Sequence, residues 1–123
     1  MKRYGEEIVY AALAGTRHYY GTGFFRPGMV LRLVKEPGNA HDAEAIRAEI
    51  APIGRVGYVA NSTFTVPLGC RSAGRIYDTF DEIIYGIVRF VVKDVVIAEI
   101  TDRAEERQIV WSMGPDERVR VSG

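Results

Sequence analysis

Two β-branched runs, Glu82 to Val92 and Val95 to Thr101, meet at the dipeptide Lys93-Asp94. A two-residue link between such runs reads as a tight antiparallel hairpin, which commits this half of the chain to sheet. Earlier segments follow suit. Met29 to Lys35, Ala45 to Ile50 and Arg55 to Val59 read as strands, the last two joined by Pro52-Ile53-Gly54. Glu6 to Ala14 carries apolar residues on both faces, as a strand buried on both sides does. Six short strands at regular spacing predict a mainly β, small α+β fold: an OB-like or SH3-like six-stranded β-barrel with one or two short helices. Ser72 to Phe80 is the expected helix, with Ser72 as its cap and Ile76 and Phe80 facing inward.

The connections are as informative as the strands. Gly15 to Gly28 holds four glycines and a proline and reads as a structured loop, in which one of Phe24 and Phe25 packs inward and the other offers a stacking platform. Glu36-Pro37-Gly38-Asn39-Ala40-His41-Asp42 is turn chemistry throughout: Pro presets φ, Gly and Asn tolerate positive φ, and Asp bonds its own backbone. A chain of 123 residues with 47% apolar content suits one domain. Residues 1–103 are expected to form it, and residues 104–123 read as a polar, partly disordered extension whose large anchor is Trp111.

Composition excludes several classes. The longest nearly unbroken apolar run, Ile83 to Val92, falls far short of the roughly 20 residues of a membrane-spanning helix. The start of the chain turns acidic where a signal peptide becomes apolar, and the single Cys70 fits a reducing compartment, so a cytoplasmic location without membrane association is expected. His18, His41 and one Cys do not make a zinc motif. Gly21-Thr22-Gly23 is followed by Pro27-Gly28 and a strand rather than a helix, so it is not a dinucleotide fingerprint. No nucleophile elbow surrounds Ser62 or Ser72. The expectation is a non-enzymatic protein with no cofactor and no metal. The formal charge is zero, yet residues 1–75 hold ten Lys/Arg against six Asp/Glu, and residues 76–123 the reverse. Chance with an acidic tail accounts for this, as does an anionic partner docking on the first part.

Two loops then concentrate the unusual residues. Arg17-His18-Tyr19 and Asn39-Ala40-His41-Asp42 combine a guanidinium, flat rings and a carboxylate. Arg beside aromatics is what a nucleic-acid strand needs, for phosphate and for base stacking. A carboxylate repels phosphate unless it accepts a hydrogen bond from a sugar hydroxyl, and that combination suits a strand end.

The pattern Gly15-x-Arg17-x-Tyr19, then Gly28-x-x-Leu31-x-Leu33, then Glu36-Pro37-x-Asn39-x-x-Asp42-x-x-Ala45-Ile46, then Val56-Gly57-Tyr58-Val59 resembles the HIRAN domain, in its free-standing bacterial form. The resemblance implies an OB-like barrel that, in the family's helicase-attached members, captures the 3′ end of single-stranded DNA. By position it implies Arg17 on a phosphate, Tyr19 and His41 against terminal bases, and Asn39 supporting the pocket. Asp42 would accept the terminal 3′ hydroxyl, with Tyr58 at the pocket's edge and His18 as a further DNA-binding residue. His18 and His41 stand where the family has larger aromatics, Ala40 where it has Pro, and Glu44 where it has Asn. Imidazole stacks less area than phenol, and Glu44 opposes phosphate. A helicase or nuclease partner acting in DNA repair would then supply the catalysis. The alternative is a protein-interaction or regulatory module that pairs a partner along an exposed strand edge, one form of it a homodimer through the C-terminal hairpin and Trp111.

Overall fold

The computed structural model describes residues 7–102, with six strands. These are β1 (Tyr10–Ala14), β2 (Val30–Lys35), β3 (Ile46–Ile50), β4 (Gly54–Val59), β5 (Ile83–Val92) and β6 (Val95–Thr101). All pairings are antiparallel, and the order β1-β4-β3-β2-β5-β6 closes on itself through β1 and β6. The hairpin forms as read: Val92 faces Val95 across Lys93-Asp94, and Lys93 takes a positive φ of 57° to turn the chain. Trp111 and the extension from residue 104 lie outside the described residues.

The protein-interaction alternative called for an exposed strand edge, and the strand order here closes into a barrel. Each described strand has a hydrogen-bonded neighbour on both sides, with the β1–β4 seam the shortest, made only through Leu13 and Ala14. Closure also needs curvature, and two register shifts supply it, one between Ala48 and Glu49 in the β3–β4 pair and one between Val88 and Phe90 in the β5–β6 pair.

The interior is filled from every strand. Leu31, Leu33, Ile46, Ile50, Val56 and Ile100 are among its fully enclosed side chains. The helix α1 (Ala73–Tyr77) plugs one part of it with Ile76, and Phe80 packs against the core beyond the helix. Ser72 caps α1, its Oγ accepting from the Arg75 N–H. In the long loop Phe25 is buried at 1% exposure. Phe24 is not a free platform: it packs on the core too, held between Phe25 (centroids 4.3 Å apart) and an edge-on Tyr20.

After β1 the chain enters a single 3₁₀ turn, Thr16–His18, launched by Gly15 at φ 73°. This turn lies directly on β4, where Gly57 makes room for it. A Cβ at Gly57 would stand 3.1 Å from the Ala14 carbonyl oxygen and 3.1 Å from Thr16 Cγ2. Gly57→Val is therefore expected to push the turn off the strand and cost about 1–3 kcal/mol, as overpacking does. Urea unfolding should show a lower midpoint with an unchanged slope.

Candidate functional site

The turn between β2 and β3 is built around one side chain. Asn39 Oδ1 accepts the backbone N–H groups of His41 (2.8 Å) and Asp42 (3.0 Å). Its Nδ2 donates to Glu36 Oε1 at 3.0 Å. Asn39 is thus the turn's frame, which the turn chemistry of the sequence pointed to. Asp42 Oδ1 accepts from the Glu44 N–H (2.9 Å), and Asp42 Oδ2 accepts from Asn61 Nδ2 (2.9 Å). Asn61 in turn accepts the Gly74 N–H at 2.8 Å, so the start of α1 braces the Asp42 carboxylate from behind. A carboxylate offers about four acceptor positions. Two are used here.

Glu36 collects the rest of the wall. Its Oε1 also accepts the Tyr58 hydroxyl at 2.9 Å, and its Oε2 accepts from Arg47 at 3.2 Å, with an Arg55 Nη 3.7 Å away. Burial pulls the Glu36 carboxyl upward, but hydrogen bonds from Asn39, Tyr58 and Arg47 outweigh it and hold the group below its ordinary value. The Tyr58 phenol is pushed up to about 12 by burial and by its donation to Glu36.

Tyr19, Asn39, His41, Asp42, Ala45, Tyr58 and Val59 line one open cavity of about 340 Å³. Five of the residues named from sequence therefore converge. Arg17 and His18 do not join them. They line a neighbouring cavity of about 590 Å³ with Thr22, Phe64, Thr65 and Asp94, on the other side of the 3₁₀ turn. The proposed constellation is split between two concavities, one lined by Thr16, Arg17 and His18 and the other by the next residue, Tyr19. Among the described residues Arg17 and Asp42 form no ion pair, and no group of three His, Cys, Asp or Glu could hold a metal ion. No helix among them is long and apolar enough to cross a membrane.

Four participants escaped the sequence reading: Glu36 as more than a turn residue, Asn61, Phe64 and Arg55. The Arg55 guanidinium lies 5.9 Å from the Tyr19 ring centroid and 5.7 Å from that of Tyr58. Tyr19 and Arg55, one after the 3₁₀ turn and the other on β4, are too far apart in sequence to leave a local signal. Phe64 is 95% exposed, an unusual position for a large apolar ring.

A small closed barrel with rim cavities lined by aromatic rings, a cation and a carboxylate is a binding module in form. Residues 7–66 match the family model of the HIRAN domain, and that stretch of the chain belongs to this family. Two solved structures share the fold. A protein from Lactobacillus plantarum is 20% identical with a TM-score of 0.52, over 76% of this chain and 93% of its own. The HIRAN domain of human HLTF is 19% identical with a TM-score of 0.51, over 83% of this chain and 80% of its own. No curated protein matches the chain. HIRAN domains are binding domains, not catalytic ones, and the family places this barrel among nucleic-acid-binding modules in general.

Two outcomes follow from the wall's bonding. Asn39→Ala removes the acceptor of two backbone N–H groups and should cost about 1–3 kcal/mol, read from the urea midpoint. In a spectrophotometric titration, Tyr58 should ionise near pH 12, and Glu36→Gln should bring it back toward the ordinary value of about 10. The sign is that of an acid whose folded pKa is raised. The stability Tyr58 contributes is complete below about pH 10 and lost as pH rises toward about 12. Glu36 behaves oppositely, its contribution present above the ordinary carboxylate value and lost on acidification below it.

Proposed function

We propose that this barrel binds single-stranded DNA and holds its 3′ terminal nucleotide in the cavity lined by Tyr19, Asn39, His41, Asp42 and Tyr58. The observation that carries this reading is their convergence: two phenol rings, an imidazole and a half-used carboxylate face one open concavity. Flat rings bind any base by its face, worth about 1–3 kcal/mol per base. Asp42 has acceptor capacity for a sugar hydroxyl and repels a phosphate, so it separates a free 3′ end from a continuing or phosphorylated strand. Arg17, in the adjoining cavity, would meet a phosphate further along the strand, with His18 and the exposed Phe64 beside it. The HIRAN family membership and the fold shared with the HLTF domain support the same class of ligand. A module of this kind works beside a partner such as a helicase or nuclease, which would perform the chemistry at the end it holds, in DNA repair for example.

Fluorescence anisotropy with a labelled oligonucleotide tests this. Binding should weaken with salt, should fall about tenfold or more when the 3′ hydroxyl is replaced by phosphate, and should lose that discrimination in Asp42→Asn. Equal affinity for both ends, or wild-type discrimination in Asp42→Asn, overturns end recognition.

A further inference from the structure

We infer that Arg55, on the outer face of β4, is the residue that neutralises a backbone phosphate of the strand seated between Tyr19 and Tyr58; this rests on the reading just proposed. The register places it there. Ala48 faces Gly57 and Glu49 faces Arg55, so β4 carries one more residue, Val56, than β3 does at this point. Val56 turns into the core with no exposed surface, and Arg55 and Tyr58 come to share the outer face with Arg47 and Glu49.

On that face the charges do not balance. Arg32, Arg47 and Arg55 stand against Glu36 and Glu49, leaving one positive charge in the group. Arg47 is spent, bonded to both carboxylates, and Arg32 is paired with Glu49 at 3.1 Å. Arg55 is the cation left over. It reaches Glu36 only at 3.7 Å and the Tyr19 hydroxyl only at 3.5 Å, the outer limit of a hydrogen bond. Its side chain is 45% exposed, and most of its five N–H donors have no partner among the described residues. Elsewhere near the β2–β3 turn, Lys35 is turned away, donating to the Phe80 carbonyl and lying 4.3 Å from the Tyr77 ring. Arg55 thus sits beside both cavity tyrosines with its hydrogen-bonding capacity unspent, which suits it to receive a phosphate next to a stacked base.

A purely structural role would be to prop the two rings. At these distances, and half exposed, such a contact is weak. Arg55→Gln is therefore expected to leave the thermal midpoint close to wild type by circular dichroism. The decisive readout is the salt dependence of oligonucleotide affinity, measured by anisotropy over a salt series. Each phosphate contact to a single strand contributes about 0.7 to the slope of log K against log salt. Arg55→Gln should lower the slope by about 0.7, Arg55→Lys should keep it, and both should retain the preference for a 3′ hydroxyl over a 3′ phosphate. A slope in Arg55→Gln equal to wild type, with end preference intact in both, overturns the Arg55 inference and leaves the end-binding reading standing. Absence of wild-type binding at low salt overturns both.

Discussion

Between the Ala48–Gly57 and Glu49–Arg55 pairs, β4 holds one residue more than β3, and the rest of the site depends on that surplus. Strand periodicity alone would put Arg55 and Tyr58, three positions apart, on opposite faces of the sheet. The bulge at Val56 returns them to one face and bends β4 where the barrel has to curve. It also brings Gly57 inward, against the Ala14 carbonyl and Thr16, and so seats the 3₁₀ turn that carries Arg17 to Tyr19. One local irregularity therefore contributes to the barrel's curvature, seats the turn beside the cavities, and sets the charge at the edge of one of them.

Glu36 is the electrostatic counterpart of that bulge. A half-buried carboxylate costs desolvation energy, and it is tolerable here because donors come to it from three directions: Asn39 of its own turn, Arg47 of β3 and Tyr58 of β4. The same bonds stiffen the cavity wall. Tyr58 cannot rotate without giving up its acceptor, and Asn39 cannot leave without releasing the His41 and Asp42 amides. Behind Asp42, Asn61 links the carboxylate to α1, so the groups facing the cavity are held before any ligand arrives. Rigid rings and a fixed acceptor reduce the ordering cost of binding, which matters for a site too small to rely on area.

The barrel was legible because its signals are local. β-branched runs, a two-residue hairpin link and Pro/Gly/Asn turns each announce an element within a few residues, and Ser72 announces the helix cap. One of Phe24 and Phe25 was expected inside and the other free, but both pack on the core, because Tyr20 and Phe25 hold Phe24 in three dimensions. The site was legible only where its residues sit in the two conspicuous loops. Asn39 and Asp42 explain themselves as turn formers. Arg55 was illegible for a definite reason: the bulge breaks the period-two rule by which a strand residue's face is read. The separation of Arg17 from Asp42 was illegible too, since nothing in the sequence says that a 3₁₀ turn will stand between them.

The charge partition along the chain also changes meaning once folded. The first part of the sequence is basic and the second acidic, which suggests a basic face. The barrel interleaves the two: β5 pairs with β2 and β6 pairs with β1, and Asp94 of the late hairpin lines the same cavity as Arg17 and His18. A protein that tracks a nucleic-acid backbone needs a continuous positive groove. Here the cations at the two cavities are single residues, Arg17 at one and Arg55 at the edge of the other, with Asp42 and Asp94 lining those same cavities. Isolated cations flanked by carboxylates weaken non-specific attraction to polyanions and favour a ligand that offers both a phosphate and a hydroxyl at a fixed separation. In a DNA strand a hydroxyl lies beside a phosphate only at a terminus, so the proposed capture of an end fits this distribution of charge better than backbone tracking does.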